Sequence, residues 1–239
     1  MAQAARKGRA MQNSALTGTA AAGAPLPAHE QVYRDLRDRV LFGELAPGAP
    51  VTIQGLVAAT GAGMTPVREA IRRLVADGAL AAHGNRRVSV PVLGPGDVEE
   101  LLFARLALEP ELARRAALRA DAAGRAALAA EDAALDGAIA RGDVAGYLRH
   151  NHGFHARLYA LAAAPVLEGI AAGLWLRFGP SMRVVCGRAG TGRMPDRHKE
   201  ILAALEAGDA TRAGEAMARD VADGMALLAQ APGDSIDSP

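Results

Sequence analysis

The sequence is poor in cysteine, lysine and aromatic residues, and it lacks long apolar runs. Its single cysteine, Cys186, excludes an internal disulfide bond and any metal site built on paired cysteines. No apolar stretch approaches the roughly 20 residues that a membrane helix needs, so we expect a cytoplasmic protein without a membrane span. Aromatic residues make up 3% of a chain that is 50% hydrophobic. The core must therefore consist mainly of alanine, leucine and valine, a composition that favours helices.

Positive charge is not in overall excess, because the 239-residue chain has a formal net charge of +1. Binding to nucleic acid would therefore have to rest on local clusters of arginine. Residues 1–27 carry charge but no apolar segment of the kind a signal peptide needs, and we interpret them as a disordered tail. Arg6, Lys7 and Arg9 in this tail either contact phosphates or are simply solvated.

Residues 28–92 have the pattern of a small domain with three helices and a hairpin. The first helix has apolar residues at helical spacing, and a short second helix ends at Gly61. The third helix is expected to start with Thr65 as its N-cap and Pro66 at its first position. Period-two alternation in residues 80–90, around a turn at residues 83–85, then predicts a β-hairpin. This order of elements is typical of a winged helix-turn-helix domain.

The arginines of this domain are placed where such a domain contacts DNA. The second helix of a helix-turn-helix enters the major groove, and arginine can bind guanine O6 and N7 with both of its nitrogens. An alternative is that Arg68 and Arg72 pair with Glu69 or Asp77 on a solvated face. The expected DNA-contacting residues lie on the third helix and at the hairpin tip: Thr65, Pro66, Arg68, Arg72, Arg73, Arg86 and Arg87.

The same segment resembles the DNA-binding domain of the GntR family of transcription regulators. The resemblance rests on the turn "GELAPG" at residues 43–48 and on "TPVREAIRRL" at residues 65–74. It implies a double-stranded DNA operator as the partner. The chain departs from the family at Gly63 and Met64, where members usually carry Ser-Arg, so it implies an altered operator or a weaker phosphate contact. The hairpin "GNRRVSV" also lacks a second glycine that is frequent in the family.

After a linker at residues 93–96, the pattern is helical throughout residues 97–230, and residues 231–239 form a C-terminal tail. Helices are expected at about 97–119, 122–140, 143–162, 165–187, 196–207 and 209–229. The fold class is therefore mainly α, with a winged helix-turn-helix followed by an all-helical antiparallel bundle.

Three of these helices carry polar residues on their apolar faces. Asn151 and His155 share the inward stripe of the helix expected at 143–162. His198 lies on the inward stripe of the helix expected at 196–207, and Asp220 on that of the helix expected at 209–229. A buried carboxylate without a partner is costly. A divalent Zn, Ni, Fe or Mn ion bound by His155, His198, Asp220 and Asn151 would account for the set. The alternative is a metal-free polar pocket in which Asp220 pairs with a histidine. His150 and His152 fall off the stripe and are expected to face solvent.

Residues 97–228 resemble the FadR-type effector domain, called FCD, on the basis of "ARLALE", "NHGFHARLY" and "DRHKEIL". The resemblance implies a domain that dimerises and binds small organic acids, often through a metal ion. The family places an aspartate at the position of Asn151 and a histidine at that of Asp220, so the carboxylate has moved across the site. Arg105 points inward and is expected to bind the effector carboxylate with Asn151 and Arg183, or else to pair with Glu109 or Asp220.

These observations predict a ligand-responsive DNA-binding regulator, expected to be a repressor and a homodimer on a two-fold operator, rather than an enzyme. Two alternatives remain at the level of sequence. One is a metalloenzyme, since two histidines and a carboxylate are the ligands of non-haem iron oxygenases. The other is a DNA-binding dimer that senses no ligand.

Overall fold

The structure is a computed structural model, which describes residues 26–84, 87–190 and 197–230. The N-terminal half contains α1 (Ala28–Leu41), β1 (Pro50–Val51), α2 (Ile53–Thr60), α3 (Met64–Ala76), β2 (Ala81–His83) and β3 (Arg87–Ser89). The C-terminal half contains α4 (Pro95–Arg119), α5 (Ala122–Arg141), α6 (Val144–Leu161), α7 (Pro165–Ala189), α8 (His198–Ala207) and α9 (Ala210–Gln230). Most of the predicted tails at 1–27 and 231–239 falls outside the described residues.

The N-terminal half is a winged helix-turn-helix, as predicted. Its α1 buries Val32, Leu36, Val40 and Leu41, and it packs mainly against α3. The short α2 is capped by the Thr52 side chain, which accepts a hydrogen bond from the Gly55 amide. Gly61 ends the helix in the left-handed conformation with a φ of 68°, which glycine adopts at little cost.

The start of α3 differs from the prediction. The helix begins at Met64 with Gly63 as N-cap, so the expected N-cap, Thr65, lies inside the first turn and Pro66 is the third helical residue. Proline is tolerated there because the first backbone amides of a helix have no carbonyl partner within it. The prediction was wrong because an N-cap glycine in extended conformation leaves no side-chain signal in the sequence.

The wing is a three-stranded antiparallel sheet in the order β1-β3-β2. The predicted hairpin is present with its first strand shifted by one residue, so that Ala82 pairs with Val88. Sequence patterning missed β1, because two residues are too few to show alternation; Val51 pairs with Val88 on the other side of β3. Residues 85 and 86 lie outside the described residues, and the prediction for Arg86 has no structural counterpart.

The C-terminal half is helical throughout its described residues, and the observed bounds follow the predicted ones closely. Its long first helix, α4, packs against α6, α7, α8 and α9. It begins at Pro95, inside the predicted linker, because the Asp97 carboxylate caps the Gly94 amide at 2.8 Å. No helix among the described residues combines the length and apolar character needed to cross a bilayer.

The two halves meet along α7, which packs against α1. Gly179 lies so close to the main chain of α1 that a Cβ atom there would overlap the carbonyl oxygen of Leu41. The side chain of Arg183 packs over Gly43, and that of Arg177 packs against Gly78, just after α3. α7, which lines the interior of the bundle, therefore also contacts the DNA-reading half at the C-terminal ends of α1 and α3.

Candidate DNA-binding face and buried histidine-aspartate site

One face of α3 is free of packing and carries arginine. The opposite face buries Val67, Ala70, Ile71 and Leu74 in the core. Arg68 and Arg72 are exposed, and Arg72 keeps 76% of its side chain accessible while pairing with Glu69 at 3.1 Å. An exposed pair of this kind contributes little to stability, so it can be exchanged for contacts to DNA at small cost.

A groove of about 870 Å³ separates this face of α3 from the wing. It brings together the predicted residues Arg68, Arg72 and Arg87. It also contains Thr52 together with His83 and Ser89, whose side chains are joined by a 2.8 Å hydrogen bond. Sequence reasoning missed these three polar residues, because only the pairing of the strands shows which side chains face α3.

The other predicted residues of α3 lie on a different flank. Thr65, Pro66 and Arg73 line a second surface cavity, together with residues of the start of α1. The Arg73 guanidinium binds Glu30 at 2.7 Å and lies over the ring of Tyr33. Hydrogen bonds from Arg73 and Arg34 lower the pKa of Glu30. Arg73 therefore joins α3 to α1, a role that depends on the packing of the two helices.

In the helical half, three predicted metal ligands converge. His155 of α6, His198 of α8 and Asp220 of α9 each offer one ligand atom, and these atoms lie within 4.8 Å of one another. Both histidines are 1% exposed, and the Asp220 side chain is 11% exposed. The prediction that these distant residues face one interior site agrees with this arrangement.

The Asp220 carboxylate is oriented by a contact at each of its two oxygens. Its Oδ1 accepts a hydrogen bond from the backbone amide of Arg197, and its Oδ2 lies 3.2 Å from His155 Nε2. Burial alone would raise the pKa of Asp220, but His155, His198 and Arg105 together lower it overall. The carboxyl group is therefore held as an anion with one oxygen directed at the histidines.

A second layer of buried polar side chains surrounds His155. Arg105 binds Glu109 with Nε and Nη2, at 2.5 and 3.0 Å. The Tyr159 hydroxyl donates to Glu109 at 2.7 Å, and Trp175 donates to the Tyr159 oxygen at 3.3 Å. The inward Arg105 thus forms the ion pair with Glu109 that was the alternative to binding an effector.

This network determines which nitrogen of His155 carries a proton. The single Tyr159 proton goes to Glu109, so the Tyr159 oxygen can only accept from His155 Nδ1, which lies 3.1 Å away. In a neutral His155, the Nε2 lone pair would then face the Asp220 carboxylate. Two acceptors at that distance repel each other, so a cation is needed there: a proton on Nε2 or a metal ion.

Sequence reasoning named Glu109 only as a possible partner of Arg105, and it did not assign Tyr159 or Asp132 to this site. Asp132 of α5 is 6% exposed and lies 3.5 Å from Nδ1 of His198. A carboxylate or hydroxyl bound to the far nitrogen of a metal-binding histidine is common, because it orients the ring. Tyr159 follows His155 by four residues, a helical spacing that could have indicated their contact.

The remaining predicted residues are spread around the junction of the two halves. Asn151 lines a narrow space with His152, Trp175 and residues of the end of α1. Arg183 packs over Gly43 and lies about one and a half turns along α7 from Phe178, whose ring contacts Arg105. The structure therefore places Asn151 and Arg183 at the junction of the two halves, whereas Arg105 is paired with Glu109.

The prediction that His152 faces solvent was wrong. Its ring lies between Phe42 and Trp175, with centroid distances of 5.8 and 5.1 Å. Burial, together with the positive charges of Arg37 and His155, lowers the pKa of His152 to about 4. Helical periodicity within α6 could not show that the end of α1 covers this side of the helix. His150 is half-exposed and binds Glu131 at 3.0 Å.

Comparison with known proteins matches both halves to family models. Residues 28–90 match the gntR family of bacterial regulatory proteins, and residues 100–223 match the FCD domain. The chain belongs to the GntR family, with an FCD effector domain. Its members regulate transcription, so the metalloenzyme alternative is set aside in favour of a DNA-binding regulator.

Individual relatives of this GntR-family regulator agree with that assignment. The HTH-type transcriptional regulator McbR of Escherichia coli is 28% identical over 203 residues, or 84% of this chain and 92% of McbR. The structure of E. coli McbR/YncC covers 85% of this chain and 98% of its own, with 26% identity and a TM-score of 0.80. A putative GntR regulator from Rhodococcus sp. RHA1 has 25% identity and a TM-score of 0.69, over 84% of this chain and 96% of its own.

Proposed function

We propose that this regulator is a homodimeric repressor whose operator binding responds to a small organic acid and a divalent metal ion in the FCD domain. The observation that carries the sensing part is the convergence of His155, His198 and Asp220, whose ligand atoms lie within 4.8 Å of one another in a buried site. The DNA-reading part rests on the exposed arginines of α3 and the wing.

The DNA contacts are assigned to the groove between α3 and the wing. Arg68 and Arg72 lie on the exposed face of the second helix of the helix-turn-helix, which enters the major groove in proteins of this type. Arg87 of β3 borders the same groove, and we assign it to contacts with the DNA backbone. Thr52, His83 and Ser89 add neutral hydrogen-bonding groups around these charges.

The three ligand residues suit a first-row transition metal. Imidazole and carboxylate together are ligands of Zn, Ni, Fe and Mn, whereas Ca and Mg prefer oxygen alone. Nδ1 of His155 donates to Tyr159, which leaves Nε2 available, and Asp220 keeps one oxygen for the site. His155, His198 and Asp220 would therefore hold the ion, which supplies positive charge and a coordination position for an anionic ligand.

An organic acid is the effector class that fits these groups. Three protein ligands leave coordination positions open, and a carboxylate is a suitable additional ligand for the metals above. Arg105 carries a second positive charge beside this site, since its charge contributes to lowering the pKa of Asp220. Its pairing with Glu109 holds the guanidinium against the rings of Trp175 and Phe178.

Aromatic contacts connect this site to the DNA-reading half. The His155 ring lies 5.1 Å from that of Trp175, and Trp175 lies 5.1 Å from His152. His152 in turn contacts Phe42, just after α1. A ligand that shifts Trp175 would therefore change the seating of α1, and coupling of this kind changes affinity by about 5–150-fold.

The dimer is assigned to the outer sides of α4 and α7, which pack against each other. Both helices expose large apolar residues there, with Phe103 at 77% and Val166 at 75% exposure, followed by Ile170 and Leu106. A contiguous apolar patch of this kind would mark a protein interface, and we assign these residues to one. Analytical ultracentrifugation at micromolar concentration would show a species of two chains.

Metal analysis tests the sensing part directly. The wild-type protein is expected to copurify with, or bind on titration, one equivalent of Zn, Ni, Fe or Mn per chain. His155→Ala removes a ligand and is expected to abolish binding, whereas His150→Ala, on the same helix but outside the site, keeps it. A thermal-shift screen of carboxylic acids, with and without the bound metal, then identifies the effector.

The competing arrangement is a metal-free ion pair between protonated His155 and Asp220. It predicts that all four metals fail to bind in stoichiometric amounts to wild type as well as to His155→Ala. Such a result would overturn the metal part of the proposal and leave the DNA-reading part to its own test.

A further inference from the structure

Met64 is an exposed apolar residue in an unusual place. It is the first residue of α3 and is 51% exposed, although a methionine gains from burial. Its neighbours on the exposed side of α3 are polar or charged. About half of the Met64 side chain is therefore accessible at the start of α3, where it can contact a molecule outside the chain.

Met64, Arg68 and Arg72 form one stripe, because residues four apart lie on the same side of a helix. All three are exposed, and Arg68 and Arg72 line the groove between α3 and the wing. The first turn of a recognition helix is the part that contacts base edges. Met64 is the residue of this stripe in the first turn of α3, the part that would approach the bases.

The chemistry of the Met64 side chain limits which group on a base it can recognise. Met64 has no hydrogen-bond donor, and its thioether is a weak acceptor, so it cannot bind guanine as arginine does. The apolar group on base edges in the major groove is the C5-methyl of thymine. We propose that Met64 reads a thymine methyl group in the operator, an inference that rests on the proposed entry of α3 into the major groove.

The helix geometry places this thymine relative to the contact of Arg68. Met64 and Arg68 are about one turn apart on α3, or about 6 Å along its axis. The operator half-site is therefore expected to contain an A·T pair close to the base pair that Arg68 contacts.

The test uses deoxyuridine, which lacks only the methyl group of thymidine. A duplex that the full-length protein selects from a randomised library is resynthesised with each thymine replaced in turn by deoxyuridine. At one position per half-site, wild type is expected to lose affinity about fourfold, the equivalent of about 0.8 kcal/mol for one apolar carbon group. Met64→Ala is expected to bind the thymine and deoxyuridine duplexes equally, and Met64→Leu to keep most of the difference.

Leu118→Ala is the matched control. Leu118 is also an exposed apolar residue, at 69%, but it lies near the far end of α4, about 35 Å from the linker. It is expected to discriminate as wild type does. The inference is overturned if wild type tolerates deoxyuridine at every position, or if Met64→Ala keeps the full discrimination. Failure of wild type to select any sequence would instead overturn the proposed reading of DNA by α3.

Discussion

The two halves of this chain place their charged residues in opposite ways. On α3, Arg68 and Arg72 stand in solvent, and the Arg72 pair with Glu69 is exposed on both sides. In the FCD domain, Arg105 and Glu109 are almost completely buried and bind each other with two hydrogen bonds. The first set can exchange its partners for DNA, whereas the second set is already oriented before any ligand binds.

The difference predicts which property each set of residues controls. Removing an exposed charge changes the affinity for a charged partner and leaves stability nearly unchanged. Removing one member of a buried pair leaves the other charge without compensation in a medium of low polarity. Substitutions in the two halves should therefore separate into affinity effects and stability effects.

The largest effect is expected for Glu109→Ala. The change leaves Arg105 without its buried partner and takes the acceptor from Tyr159, which is expected to lower the free energy of unfolding by about 3–5 kcal/mol. Urea unfolding in the presence of a chelator, followed through the fluorescence of the single tryptophan, Trp175, measures it. Glu111→Ala, on the same helix in an exposed pair with Arg115, should stay within about 0.5 kcal/mol of wild type. Equal effects of the two variants would contradict the contrast.

Arg68→Ala and Arg72→Ala should weaken DNA binding and leave stability nearly unchanged. Each is expected to weaken operator binding by about 1–3 kcal/mol, and the double variant should lose specific binding at physiological salt. Unfolding by urea should be nearly unchanged, because neither side chain is packed. Arg219→Ala removes the same charge from an exposed pair on α9 and serves as control. Nanomolar binding by the double variant in a gel shift would show that α3 does not read the operator.

The junction between the halves gives an effect comparable to that of one arginine substitution and smaller than that of the double variant. An added methyl group in Gly179→Ala meets the carbonyl of Leu41, so α1 and α7 must move apart at a cost of about 1–3 kcal/mol. Amide hydrogen exchange at the end of α1 should accelerate. Gly187→Ala, also on α7 but with open space around it, should instead stabilise the helix by about 0.5–1 kcal/mol. Unchanged exchange in Gly179→Ala would mean that this contact does not hold the halves together.

Sequence periodicity predicted much of the interior site. His155, His198 and Asp220 each lie on the apolar face of a separate helix, and the structure brings their ligand atoms within 4.8 Å. Periodicity succeeds here because a helix that buries one face also buries the polar residues on it. It could not distinguish between the two roles of Arg105, since both require the same inward direction. The structure shows Arg105 bound to Glu109.

The order of helices and hairpin, the family resemblance and the inward direction of the three ligand residues follow from the sequence alone, because each depends on local spacing. Tertiary structure decided three other features. His152 packs against Phe42, Arg73 joins α3 to α1, and Arg183 lies over Gly43. Each of these depends on which surface of one helix lies against another. Residues far apart in the chain set that geometry, and no pattern within a single helix records it.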